Sequence, residues 1–253
     1  MTTTLDRPTD HTSSTAPRPP MTATRKAALI AGIAYIATFV FSIPVKFGLW
    51  VDVLDKKDFV LGAGSDSGVP LGAMFEVLTA LGGIVTAVAL YSIARRHSER
   101  AALGFVTTRL LEAAIIFVGV FAIMSTYTLR NDVAGLAGSD TGSLTTVGQA
   151  LVAVHDWTFL LGPGLMAALN ALMIGSVMYR TRMLPRWIPT LGLIGAPLLI
   201  ISSSVTLFGG WKQISGPATL LVLPIAIWEF AFGLHMTFKG LRPAVGESVD
   251  AGV

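Results

Sequence analysis

The chain has 253 residues, of which 53% are hydrophobic and only 13% are charged. A soluble domain carries about 25% charged residues, so this chain has too few polar side chains to cover the surface of a soluble enzyme. It contains no cysteine, which excludes disulfides, thiolate metal sites and cysteine nucleophiles.

Two tails are predicted to flank the folded region. Residues 1–24 are rich in Thr, Ser and Pro, and a segment of this composition cannot bury enough apolar surface to become ordered. We therefore expect a disordered tail at 1–24 and a flexible tail at 243–253. The region between them, 25–242, is predicted to be a single transmembrane domain.

Six long apolar runs fill this domain, and each reaches the roughly 18–20 residues that a bilayer core requires. The runs lie at about 27–50, 71–94, 101–129, 148–179, 187–208 and 218–238. In lipid, such a run satisfies its backbone hydrogen bonds only as a helix. The sequence predicts an all-α fold, a polytopic bundle of six transmembrane helices in the cell membrane. The fourth run is so long that it must tilt, or break at Gly162–Pro163–Gly164.

Basic residues are distributed unevenly between the two sides of the predicted bundle. One side carries only Lys56, Lys57, Arg130 and Lys212. The side that holds the termini carries Arg7, Arg18, Arg25, Lys26, Arg95, Arg96, Arg100, Arg180, Arg182, Arg186, Lys239 and Arg242. The positive-inside rule predicts that both termini are cytoplasmic. The net charge of +3 then reflects topology and attraction to anionic lipid, and we expect no nucleic-acid partner.

Three charged residues are predicted to form an arginine cluster: Arg109, Glu112 and Glu229. A charge at the membrane centre costs about 2.5–3.5 kcal/mol, so each needs compensation. Arg109 and Glu112 are three residues apart on one helix face, and Glu229 lies at a similar depth on the last helix. The cluster either binds a ligand or, in the interpretation we favour, acts as a structural ion-pair cluster.

A second set, the histidine group, consists of Glu76, His155 and Asp156 and lies nearer the opposite membrane surface. A histidine beside carboxylates can relay protons or act as a general base, so these are the candidate catalytic residues. The spacing of a metal site is lacking, and none is predicted. The alternative is a hydrogen-bonded helix cap near the interface. Lys46 is the only nearby cation, and it can reach water.

Several short stretches resemble the bacterial membrane family called domain of unknown function 4386. They are RKAALIAGIAYIATFVFSI at 25–43, RLLEA at 109–113, His155-Asp156 with FLLGPGL at 159–165, MLPRW at 183–187, WEF at 228–230 and FKG at 238–240. The resemblance extends over about 25–242. It implies a compact multi-helix membrane domain and brings no activity or cofactor. Many members look to carry a histidine where this chain has Asn170, which weakens any mechanism that needs two histidines on that helix.

Three functional hypotheses follow. We favour a small polytopic inner-membrane protein of undefined activity, whose partners are the bilayer and a lipid or small hydrophobic ligand. The alternatives are an intramembrane enzyme acting on a lipid or prenyl-like substrate, and a proton-linked carrier or small-ligand binding protein. A cleft that is open to lipid and reaches His155 favours the enzyme. Polar side chains that bridge both groups favour the carrier, and a closed dry bundle favours a structural role.

Overall fold

The computed structural model describes residues 21–245, whose regular secondary structure is entirely helical, with no strand. The α-helices are α1 Ala23–Pro44, α2 Val51–Asp55, α3 Val69–Ala94, α4 Glu99–Thr128, α5 Thr141–Phe159, α6 Ala167–Thr181, α7 Trp187–Leu207 and α8 Gly216–Phe238. Six stretches are long and apolar enough to cross a membrane: Ala23–Leu49, Val69–Ala94, Glu99–Val133, Thr141–Thr181, Trp187–Leu207 and Gly216–Phe238. The predicted all-α fold with six spans is confirmed.

Side-chain caps set several of the helix starts. Thr22 accepts a hydrogen bond from the backbone N–H of Arg25, and Ser98 accepts one from Ala101. Asp140 opens α5 in the same way by accepting from two backbone N–H groups. These are preferred N-cap residue types, and they satisfy donors that the first helical turn leaves unpaired.

The predicted tails lie mostly outside the described residues, which exclude 1–20 and 246–253. At the start of the chain, α1 begins at Ala23, two positions before the expected boundary. At the other end, the backbone N–H of Arg242 donates to the Met183 carbonyl, and that of Val245 donates to the Thr181 carbonyl. Chain packing thus continues to residue 245.

The fourth span neither breaks nor ends at its proline. A π-helical segment, Leu160–Met166, joins α5 to α6 and accommodates Pro163. A π turn absorbs an extra residue without interrupting the helix, which is how the span stays continuous over Thr141–Thr181. A second π turn, Val45–Leu49, follows Pro44 at the end of α1.

The bundle is a closed ring of packed helices. The ring consists of five of the spans together with α6, which is the second part of the fourth span. In order, α1 packs on α3, α3 on α4, α4 on α6, α6 on α7, α7 on α8, and α8 on α1. Helix α5 packs on α4. We call the side of the ring that holds residues 23 and 238 the terminal side, and the opposite side, with residues 50–68 and 129–140, the loop side.

The apolar core is divided into two clusters along the bundle axis. On α4, Phe105 belongs to the cluster on the terminal side, and Ala113 belongs to the cluster on the loop side. Arg109 and Glu112 lie between them on the same helix and are buried. The charged residues therefore occupy the junction of the two cores.

The loop between α2 and α3 is held against the end of α4 by Arg130. Its guanidinium donates to the carbonyl oxygens of Phe59, Ala63 and Gly64 at 2.8–3.0 Å and pairs with Asp66 at 3.3 Å. Backbone acceptors and one carboxylate thus fold this loop over the loop side of the bundle.

Within the same region, Asp52 is held by local contacts. Lys56 lies 2.8 Å from its carboxylate, and the backbone N–H of Ser65 donates to it. The hydrogen bond from Lys56, assisted by that from Ser65, lowers the pKa of Asp52. This part of the loop is therefore ordered by its own hydrogen bonds.

Candidate functional site: a polar cavity in the bundle

Direct contacts between side chains close the arginine cluster. Arg109 Nη1 donates to Glu112 Oε2 at 3.1 Å, and Nη2 donates to Glu229 Oε1 at 3.0 Å. The side chain of Arg109 is only 6% exposed, and those of the two glutamates are 10% and 18% exposed. The structure thus brings together all three residues predicted for this cluster, with two carboxylates sharing one guanidinium.

Neighbouring helices fix the position of Arg109. The spacing of three residues on α4 places Glu112 one turn away, and α8 supplies Glu229. On α3, Gly83 lies beside the arginine stem, and a Cβ there would be in ordinary van der Waals contact with Arg109 Cδ at 3.8 Å. The guanidinium carbon lies 4.9 Å from the ring centroid of Tyr35, which is within cation–π range.

Asn170 on α6 is a further member of this network, and sequence reasoning did not assign it a contact. Its Nδ2 donates to Glu112 Oε2 at 2.7 Å, and its Oδ1 accepts from the hydroxyl of Thr108. The residue is fully buried. A lone amide within an apolar run was the available signal, because such a group needs a polar partner in the core.

The histidine group is only partly brought together. Glu76 on α3 and His155 on α5 line the same cavity. Asp156 does not line it: its side chain is 57% exposed and borders a separate, smaller pocket with Lys56 and Lys57. Its carboxylate lies 3.4 Å from His155 Nδ1, a long contact at the edge of hydrogen-bond range.

Trp50 holds the imidazole of His155 in place, a role that sequence reasoning missed. The two ring centroids lie 5.4 Å apart in an edge-to-face arrangement, and Trp50 Nε1 donates to the Val69 carbonyl at 3.0 Å. A Cβ at Gly72 would clash with the indole, so this glycine creates the space for Trp50. On α4, a Cβ at Gly119 would lie 2.6 Å from the Thr158 hydroxyl, one turn from His155.

A cavity of about 400 Å³ connects the two charged sets. Arg109, Glu112 and Glu229 line it towards the terminal side, and Glu76 and His155 line it towards the loop side. The π-helical segment Leu160–Met166 contributes to its wall. Lys46 also lines the cavity, and the wall is otherwise largely apolar, so six ionisable side chains provide most of its distinctive chemistry.

The cavity reaches the surface between α1 and α8 on the loop side. Its wall there includes Ile43 and Phe47 of the first span and Thr219 of α8, together with Ile214 just before α8. All of these residues are exposed, and Phe47 is 75% exposed. On a helix that crosses a membrane, such apolar side chains face the lipid. The opening therefore lies on the exposed outer surface of the bundle and leads to both groups.

The model of one protein family, Domain of unknown function (DUF4386), matches residues 30–240. The chain belongs to the DUF4386 family. This match confirms the resemblance and covers all six spans almost entirely. Comparison with curated proteins found no match, and comparison with solved structures found none.

For this DUF4386 member, the polar groups do not form an obvious metal site. Within residues 21–245, no group of three or more His, Asp or Glu side chains is placed to hold a metal ion. Asn170 donates to Glu112 through its amide, so the position at which the resemblance expects a histidine belongs to the arginine cluster. The arrangement can bind charged or hydrogen-bonding groups within an apolar cavity.

Proposed function

We propose that this protein is an integral membrane protein of the cell membrane that binds a small amphiphilic ligand in the cavity. The observation that carries the proposal is the cavity itself, which connects the membrane-facing surface with six ionisable side chains. Its volume of about 400 Å³ falls within the roughly 300–1,000 Å³ of small-molecule sites. A ligand with an apolar chain and a polar end group matches this lining.

The surroundings of His155 support a role in ligand binding. Within residues 21–245, Asp156 is the only hydrogen-bond partner found for the imidazole ring. Trp50 and Phe159 flank that ring at centroid distances of 5.4 Å and 6.4 Å. Aromatic neighbours on two sides shape an apolar pocket around the imidazole, which suits contact with a ligand. His155 is therefore proposed to line the ligand site.

Blocking the opening tests the proposed binding site. Thr219→Trp places an indole at the opening, and Leu220→Trp places one on the adjacent exposed residue, which does not line the cavity. The probes are decanol, decyl sulfate and decyltrimethylammonium, added below their micelle concentrations to protein in detergent. A bound probe stabilises the folded state and raises the melting temperature.

We expect at least one probe to stabilise the wild type and Leu220→Trp equally. The same probe should bind Thr219→Trp about tenfold more weakly, which corresponds to about 1.4 kcal/mol. If no probe stabilises the wild type, or if Thr219→Trp responds like the wild type, the cavity is not the binding site.

The proposed topology has both termini in the cytoplasm, as the distribution of basic residues favours. Because the chain lacks cysteine, single cysteines report topology without background. We expect a membrane-impermeant maleimide to label Gly135→Cys and Gly216→Cys on intact spheroplasts. Both glycines have open space around them. Glu99→Cys, on the terminal side, should be labelled only after permeabilisation, and its labelling on intact spheroplasts would reverse the topology.

A further inference from the structure

We infer that the cavity selects a lipophilic cation, an amine or quaternary ammonium attached to an apolar group, and that Glu76 is its charge partner. The inference rests on the proposed binding function and adds the ligand class. It follows from the charge balance of the cavity, the lack of a partner for Glu76 and the aromatic side chains that line the same cavity.

The cavity contains more acids than bases. Its wall includes Glu76, Glu112 and Glu229 but only two permanent cations, Lys46 and Arg109. Both terminal nitrogens of Arg109 are already engaged by carboxylates. The arginine cluster alone therefore has an excess negative charge when its acids are ionised. A ligand with a positive charge balances the cavity, and an anionic ligand adds to the excess.

Glu76 is the acid without a partner. Within the described residues its carboxylate accepts no hydrogen bond and forms no ion pair, although the side chain is half-buried in a predicted span. Lys46 does not pair with it. The ammonium group lies 5.0 Å from the ring centroid of Phe159 instead. A carboxylate in an apolar cavity needs a cation or a proton, and a bound ammonium supplies the former.

Aromatic side chains that line the same cavity as Glu76 fit the same ligand class. Phe159 already has one ammonium, that of Lys46, within cation–π range. Trp50 and Phe39 also line the cavity. Quaternary ammonium groups are recognised by such aromatic surfaces together with a carboxylate. The apolar part of the ligand would then extend towards Ile43 and the lipid-facing opening.

The three decyl probes distinguish the charge of the ligand because they share one tail. Dissociation constants are obtained from melting-temperature shifts of the wild type and of Glu76→Gln. Glu99→Gln is the matched control, because it makes the same change to an exposed carboxylate outside the cavity. Glutamine keeps the shape of Glu76 and removes its charge.

We expect the wild type and Glu99→Gln to bind decyltrimethylammonium at least about tenfold more tightly than decanol or decyl sulfate, the factor that one charge-assisted contact supports. Glu76→Gln should lose this preference and still bind decanol as the wild type does. Equal binding of all three probes, with sensitivity to Thr219→Trp, would leave the binding site in place and overturn the cation inference. Preferential binding of decyl sulfate, or an unchanged preference in Glu76→Gln, would also overturn it.

Discussion

Replacing Arg109 with leucine is expected to lower the free energy of unfolding by about 3–5 kcal/mol, the range for removing one partner of a buried ion pair. Arg109 is the shared donor to Glu112 and Glu229. Its loss leaves two carboxylates in the core without a cation, at the junction of the two apolar clusters. Unfolding of detergent-solubilised protein by titration with dodecyl sulfate measures the change.

Removing the acids as well should recover much of that loss. In Arg109→Leu/Glu112→Leu/Glu229→Leu no charge remains at the junction, and an apolar replacement of a buried ion pair is often neutral or stabilising. Recovery will be incomplete because Asn170 Nδ2 loses its acceptor on Glu112, at a cost of about 1–3 kcal/mol. Arg100→Leu, on the exposed start of α4, is the matched control and should be near wild type. Equal instability of the single and triple variants would contradict a pairing role.

The spans and the arginine cluster could be read from the sequence because each depends on a strong local signal. In lipid, an apolar run long enough to span a bilayer satisfies its backbone hydrogen bonds only as a helix. The six helices could therefore be predicted directly from the runs. Arg109 and Glu112 share a face by their spacing, and the distance of Glu229 from the end of its run gave its depth. An unpaired charge within a membrane is energetically costly, so opposite charges at the same depth were expected to pair.

Other parts depended on contacts that no local pattern encodes. Trp50 stands at the end of an apolar run, where an exposed interfacial tryptophan is common. It is buried instead, because Gly72 leaves room for its indole and Val69 provides a carbonyl acceptor. Asp156 follows His155 directly, yet consecutive helical residues point about 100° apart, and only His155 faces the cavity. The partner of Asn170 could not be predicted, because a neutral amide carries no charge that indicates which residue it contacts.

The opening of the cavity depends on how α1 and α8 are held together. On the terminal side Arg25 donates to the carbonyl oxygens of Met236 and Thr237 at 2.7 Å, which satisfies the end of α8. Towards the loop side, residues of both spans line the cavity. The two helices are therefore in close contact at one end and bound the proposed ligand entrance at the other. A substitution at the contact between α1 and α8 should therefore act mainly on the stability of the bundle. Its effect on the ligand entrance should be smaller.

Gly32→Ala should show this effect most clearly, with a loss of about 1–3 kcal/mol in the free energy of unfolding, the range for overpacking a filled core. A Cβ at position 32 would lie 2.6 Å from the backbone nitrogen of Thr237 and 2.8 Å from the carbonyl oxygen of Gly233. Backbone atoms cannot rotate away as a side chain can, so α1 and α8 must separate. Within a helix, alanine is more favourable than glycine by about 0.5–1 kcal/mol. A loss of stability in Gly32→Ala can therefore be attributed to the steric clash between α1 and α8. Gly48→Ala, with no atom within 4 Å of the new Cβ, is the matched control and should be neutral or slightly stabilising. If both variants gave the same stability in the dodecyl sulfate titration, close packing of α1 on α8 would not contribute to the fold.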